Sequence, residues 1–320
     1  MNISQDEKEK IESCIYGFII GDAMGIPSEF ERRNDLLNNP ITDMVGFGAH
    51  SVPPGSWGED TSLTLATMSS ITRNEKIDYD DIMLGYTKWY REGRYSSYKR
   101  AFGVSNTCNI SIRNYYKKGI TPLECGLSKE SDNDNSSLKR ILPLALYCYY
   151  KNIPDTEITN LVKEYSSLTN RHEISFIGCF IFIKYINFLL QGDNQLAAYK
   201  KIKKLDLSIY SKEAVQNYKS ILEDDIYKIK FEDLNSSNHI IDTLECVFWM
   251  SINSKKFTHA IIGSINLGGD TNTIGALTGA ISGIVFGNES IPLKWLNKLQ
   301  RKDYIDEKIS DYINFLLKDY

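Results

Sequence analysis

The residues of this chain whose types and spacing can do chemistry gather in two short, oxygen-rich turns. One is Gly55-Ser-Trp-Gly-Glu-Asp-Thr61, with adjacent carboxylates at Glu59 and Asp60. The other is Asn266-Leu-Gly-Gly-Asp-Thr-Asn-Thr273, with oxygens on Asp270, Asn272 and Thr273. Carboxylate, amide and hydroxyl oxygens held on a glycine-rich backbone suit a hard divalent cation. Taken singly, the same residues read as helix caps: Asp, Asn and Thr are favoured N-caps, and acids are stabilised at helix N-termini. Their density just before two helical runs favours a site over a cap.

The elements that must position these turns are helical. The run 274–286 carries no charge, and Gly275, Gly279 and Gly283 fall four apart with Ala276 and Ala280 beside them. A glycine inside a helix costs about 1 kcal/mol relative to alanine, so three of them imply that neighbouring helices approach closely. Thirteen residues are too few to span a bilayer, which makes this a core helix. A first helix is predicted over 4–21, with Ile11, Cys14, Ile15, Phe18 and Ile19 on one face and Gly25 and Pro27 ending it. Asp22 and Glu29 lie near that end and in the loop after it, and by position alone they read as capping or surface residues.

A loop over 32–56 and helices over 62–72, 79–90, 109–117, 141–150, 157–167, 174–190, 240–252, 257–266 and 296–318 complete the pattern. The polar stretch 128–137 reads as a mobile loop, and 191–238, rich in Lys and acids, as peripheral helices with a solvated face. No stretch alternates like a strand. The expectation is an all-α, compact single domain over 1–320: a helical bundle, orthogonally packed, with a central cleft.

Composition narrows the function. A net charge of −4 argues against nucleic acid as the main partner. Six scattered cysteines without a Cys-x-x-Cys pair argue against a zinc site or disulfide scaffold and fit free thiols in a reducing, cytoplasmic setting. The polar opening residues do not resemble a signal peptide, and no membrane partner is expected.

With both turns in view, nearly the whole chain resembles the ADP-ribosylglycohydrolase family. The resemblance is carried by Gly21-Asp-Ala-Met-Gly-Ile-Pro-Ser-Glu29, the Gly-x-Trp-x-x-Asp-Thr turn at 55–61, Ser105-Asn-Thr107, Asn135-Ser-Ser-Leu-Lys-Arg140, Leu168-Thr169, Asp242-Thr-Leu-Glu245 and the final turn 266–275. It implies a compact all-α fold and removal of ADP-ribose from modified targets with paired Mg²⁺ ions. It also implies metal ligation by Asp60, Asp270 and Thr273, with Glu59 and Asn272 as altered ligands. Glu29 would be the acid or base that orients water, with Glu59 and Asp60 completing the catalytic carboxylates. Ser105, Asn106, Asn135, Ser137, Gly268 and Gly269 would line the ADP-ribose site.

The departures from the family pattern concentrate in the same place. Where the family reads Trp-Thr/Ser-Asp-Asp-Thr, this chain has Gly58 and Glu59; the second Asp of Gly-Gly-Asp-Thr-Asp-Thr is Asn272. Leu-Thr-His becomes Leu-Thr-Asn170, Phe-Asp-Ile-Gly-Asn becomes Phe102-Gly103-Val-Ser105-Asn106, and Asn-Gly-Ser-Leu-Met-Arg carries Ser136 and Lys139. A hydroxyl ligand and a negative charge are lost, and the remaining acids supply charge for one Mg²⁺, with a second ion the alternative. Two functions from different classes therefore stand: a metal-assisted hydrolase of the N- or O-glycosidic bond between ADP-ribose and a protein side chain, or a protein that binds ADP-ribose, an ADP-ribosylated target or an ADP-ribosyltransferase without turnover. A hydrolase of a related nucleotide glycoside is a third.

Overall fold

A computed structural model describes residues 5–318. Sixteen α-helices account for most of it: α1 (Gln5–Gly25), α2 (Arg33–Asn38), α3 (Glu59–Asn74), α4 (Tyr79–Glu92), α5 (Asn106–Lys118), α6 (Leu142–Tyr150), α7 (Asp155–Ser167) and α8 (Glu173–Leu190) come first. They are followed by α9 (Gln195–Ile202), α10 (Lys212–Gln216), α11 (Lys219–Leu222), α12 (Ile240–Asn253), α13 (Phe257–Ile265), α14 (Thr271–Phe286), α15 (Leu293–Leu296) and α16 (Lys302–Leu316). Among the described residues β-pairing is confined to three isolated bridges. The all-α expectation holds, and one contiguous hydrophobic core runs through the helices.

The glycine stripe has the packing role its cost demands. α14 lies antiparallel against α1, pairing Gly279 with Gly17 and Gly275 with Gly21. A methyl group on Gly17 would sit 2.1 Å from the Gly279 carbonyl oxygen, and one on Gly283 would sit 2.0 Å from that of Ser13. The register brings the C-terminal end of α1 beside the N-terminal end of α14. Thr271 Oγ1 donates to Gly25 O at 2.8 Å there, and Ser28 Oγ lies 3.2 Å from Thr271 Oγ1.

Three expectations need correction. The loop over 32–56 includes the short helix α2, which Arg33 ties to the far side of the chain: its guanidinium donates to Leu267 O at 2.8 Å and Phe231 O at 3.1 Å. The polar stretch 128–137 is ordered rather than mobile, because Asn133, Asn135, Ser136 and Ser137 are buried. Its oxygens are spent on the protein itself: Asn170 Nδ2 donates to the main-chain Asp132 O at 2.8 Å and to the side-chain Asp134 Oδ1 at 2.9 Å. Finally, 191–238 is peripheral only in part. Its end runs behind the second oxygen-rich turn, where Asp270 N donates to Ser236 O and Asn135 N to Asn238 O.

α8 is long and apolar enough to cross a membrane, but most of it is buried inside the protein. It packs as a core helix. The six cysteines are all buried free thiols.

Candidate active site

Four chain segments converge on one point. α3 and α14 each present their N-terminal end, where unpaired amides and the helix dipole favour negative charge. α3 contributes Glu59 and Asp60 in its first turn; α14 contributes Asp270 at its N-cap position and Asn272 and Thr273 just inside. The end of α1 contributes Asp22, and the 3₁₀ turn after it leads to Glu29. The fourth segment is a 3₁₀ turn at Leu138–Arg140, which delivers Lys139.

Asp22 explains how α3 begins without a capping side chain of its own. Gly58 stands at the N-cap and offers none, so Asp22 Oδ2 reaches across from α1 and accepts from Gly58 N and Thr61 N, both at 3.1 Å. Burial pushes the Asp22 carboxyl up to about 6, against the hydrogen bonds from Thr61 and Gly58 that pull it down.

Glu59 is held by neutral donors. Its Oε2 accepts from Ser105 N at 2.7 Å and its Oε1 from Ser105 Oγ at 3.2 Å, which sets the loop before α5 against α3. Asp60 is different: it is fully buried, and neither carboxylate oxygen accepts a hydrogen bond among the described residues. Asp270 is held by Asn135 Nδ2, which also donates to Thr243 Oγ1 at 2.8 Å, and by Thr273 Oγ1 at 3.3 Å. Asn272 Oδ1, like Asp60, is buried without a partner.

Lys139 lies among these acids. Its Nζ is 3.4 Å from Glu59 Oε2 and 3.6 Å from Asp60 Oδ1, and the residue is buried. Burial opposes a charged lysine, but Glu59 and Asp60 more than offset it, so the ammonium is held well above its usual range. Next door, Arg140 points elsewhere: it donates to Thr169 Oγ1 at 2.7 Å and lies 4.6 Å over the Tyr165 ring. That fully buried anchor fixes the turn and leaves Lys139 facing the carboxylates.

Glu59, Asp60 and Asp270 thus act on one buried lysine, with Asp22 close enough to repel Asp60. The imbalance appears in the titration of Asp60 and Asp270. Burial, then the repulsion of Asp22, Asp270 and Glu59, raises Asp60 well above the carboxylate range despite Lys139. Burial likewise brings Asp270 up to about 6, with Lys139 and Asn135 acting against it. Like charges crowded in a dry site disfavour ionisation, and a further cation relieves that.

Glu29 stands at the rim with a partner that spacing did not reveal. His50 Nε2 lies 2.5 Å from Glu29 Oε2, and the hydrogen bond to Glu29 raises the imidazole's pKa above its ordinary value, against burial. Phe102 and the exposed Phe30 flank the His50 ring at centroid distances of 5.6 and 6.2 Å. His50 is a lone histidine in a loop, with no sequence signal tying it to a glutamate 21 residues earlier.

The structure brings Glu29, Glu59, Asp60, Asp270, Asn272 and Thr273 into one neighbourhood, with Ser105 directly on Glu59. Asn106 is exposed at the start of α5. Gly268 and Gly269 form the turn into Asp270 with φ of 75° and 70°, and Gly269 O accepts from Phe30 N at 2.8 Å. Asn135 and Ser137 are buried and engaged: Asn135 by Asp270 and Thr243, Ser137 by the Cys179 thiol at 3.3 Å. In this conformation neither is open to a ligand, and Asn135 acts on the site through Asp270.

A sequence profile of the ADP-ribosylglycohydrolase family matches residues 3–319. The chain belongs to the ADP-ribosylglycohydrolase family. Relatives include the ADP-ribosylarginine hydrolase Tri1 of Serratia proteamaculans, 29% identical across 93% of this chain and 77% of that protein. The ADP-ribosyl-[dinitrogen reductase] glycohydrolase of Rhodospirillum rubrum is 26% identical over 94% of this chain and 93% of its own length. Among solved structures, an ADP-ribosylglycohydrolase-related protein complex superposes with a TM-score of 0.78 at 22% identity, covering 98% of this chain and 99% of that one. That likeness establishes the fold. The family member described here keeps Asp60, Asp270 and Thr273 but carries Gly58, Glu59, Asn272 and Lys139 around them.

Proposed function

We propose that this protein hydrolyses the glycosidic bond between ADP-ribose and a protein side chain, with arginine the first side chain to test because two relatives named for that activity match 93% of this chain, over 77% and 76% of their own length. The observation that carries the reading is the convergence of buried carboxylates at two helix N-termini beside the Glu29–His50 pair. Cleavage at an anomeric carbon passes through a positively charged, oxocarbenium-like state, and carboxylates held in a dry site stabilise it. With a bound cation offsetting the burial and repulsion that raise them, Asp60 and Asp270 would supply that negative charge. Glu29 orients the attacking water, and the proton held between Glu29 Oε2 and His50 Nε2 is the one available to exchange with water or the departing side chain.

Among the described residues no three His, Cys, Asp or Glu side chains are arranged as a metal site; we propose that oxygen donors from α3 and α14 together would hold one divalent cation, Mg²⁺. The oxygens of Asp60, on α3, and of Asn272, on α14, accept no hydrogen bond and are buried, and Asp270 and Thr273 stand with Asn272 in the first turn of α14. When bound, a divalent ion supplies positive charge to sugar hydroxyls and to water.

The test is release of ADP-ribose from a protein mono-ADP-ribosylated on arginine, run beside a serine-linked peptide, with and without EDTA. Release that EDTA abolishes and Mg²⁺ restores is the expected result. ADP-ribose binding by calorimetry with no release from either substrate would leave the binding-protein reading in its place.

A further inference from the structure

We propose that the Lys139 ammonium is a built-in replacement for one of two cations, so that this centre takes a single divalent ion and carries the second positive charge on its own chain. The inference rests on the functional reading above for the existence of a cation site, and it goes beyond it in assigning Lys139.

Geometry carries it first. Nζ stands between the two adjacent acids of α3, 3.4 Å from Glu59 Oε2 and 3.6 Å from Asp60 Oδ1. Both separations exceed the 2.7–2.9 Å of a direct charge-assisted hydrogen bond. The ammonium therefore sits as a shared counter-charge rather than as a partner locked to either carboxylate. A divalent ion bridging those two oxygens would take contacts of about 2.1 Å, which places it no more than about 5.5 Å from Nζ. A dication and an ammonium that close, in a buried site, repel strongly. Glu59 is also fully engaged without a metal, by Ser105 N, Ser105 Oγ and Lys139. Gly58 supplies no side-chain oxygen, and its carbonyl oxygen accepts from Ser62 Oγ at 2.6 Å and Ser62 N at 3.2 Å. On this side of the centre the ligands are gone and a cation is already present. On the other side they remain: Asp60 Oδ2, the carboxylate oxygen that Lys139 does not face, and Asn272 Oδ1 are buried without a partner.

Charge balance agrees with geometry. Against the family pattern quoted above, Asn272 removes one negative charge and Lys139 adds one positive charge, while Gly58 and Glu59 leave charge unchanged. The two changes together equal the charge of one divalent ion. A lysine with its unbranched stem also replaces methionine with little change of shape, so the turn anchored by Arg140 accommodates it.

The experiment is Mn²⁺ binding to the full chain by equilibrium dialysis, with the bound ion read by electron paramagnetic resonance. One Mn²⁺ per wild-type chain, magnetically isolated, is expected; two bound ions, or none, would overturn the assignment. Lys139→Met should tighten Mn²⁺ by roughly tenfold or more through loss of the repelling charge, and the double variant K139M/N272D should take up a second ion with a spin-coupled spectrum. Unchanged affinity and stoichiometry in these variants, with melting curves showing them folded, would also overturn it. Where Lys139→Met does not fold, Lys139→Gln removes the charge and keeps a polar side chain, and it should tighten Mn²⁺ in the same way; unchanged affinity in a folded Lys139→Gln would overturn the assignment. Activity is read separately: one bound Mn²⁺ without ADP-ribose release sinks the hydrolase and leaves this inference standing, whereas a working hydrolase with two bound ions does the reverse.

Discussion

Gly21 and Gly275 pack backbone against backbone: a methyl group on Gly21 would lie 1.9 Å from the Gly275 carbonyl oxygen, and one on Gly275 would lie 2.6 Å from that of Gly21. Both are far inside contact distance, and the obstacle in each case is main chain, which cannot rotate away. The crossing sits one residue from Asp22 and five from Asp270, so helix spacing here sets the spacing of the acids.

Gly275→Ala is therefore expected to destabilise the protein by about 1–3 kcal/mol, even though alanine is the better helix former by about 1 kcal/mol. Urea melts measure it. A variant as stable as wild type would mean that α1 and α14 separate freely.

Asp22 predicts a pH dependence of definite sign. Its folded pKa, raised to about 6 by burial, lies above the ordinary aspartate value of about 3.9. The folded state thus binds the proton more tightly, and this contribution is complete below pH ~4 and lost as pH rises through ~6. In EDTA, stability should fall over that window, Asp22 accounting for on the order of 3 kcal/mol. Asp22→Asn keeps an oxygen for Gly58 N and Thr61 N and should remove one proton's worth of the slope. An unchanged slope would assign the titration elsewhere.

The Glu29–His50 contact predicts loss of rate with little loss of fold. His50→Gln is expected to lower turnover of ADP-ribosylated substrate by roughly 10²-fold. The same pair stabilises the fold fully below the ordinary histidine pKa, and that part is lost as pH rises through the raised pKa of the folded state. The variant's melting temperature should accordingly fall less than that of wild type between pH 6 and 9. Full turnover in His50→Gln would remove His50 from the reaction.

Asn272→Asp tests the retained half of the centre. Asn272 Oδ1 is buried without a partner, so a carboxylate there gains a full charge with little change of shape. With Mg²⁺ saturating, the variant should melt higher than in EDTA by a larger margin than wild type does, because stabilisation follows ligand concentration over Kd. In EDTA it should melt below wild type, since a further acid joins an already crowded site. Equal melting under both conditions would mean that position 272 faces no cation.

Local pattern was enough for the long helices and for the two turns, because both are read from neighbours in the chain, but not for the short α2. The uncharged run from Ile274 to Phe286 could only be a buried helix, and its glycine spacing required a close partner. The order of motifs gave the family, and the altered residues Gly58, Glu59, Asn272 and Lys139 were visible as departures. What sequence could not decide was which groups meet. Asp22 caps a helix 36 residues away, and His50 pairs with Glu29 across a turn with no regular period. Asn135 holds Asp270 from 135 residues away. The same holds for Lys139, which in sequence is only a changed letter in a motif. Its meaning follows from the Arg140 anchor, which turns it into a dry pocket of acids, where a single charge counts for far more than it does in water.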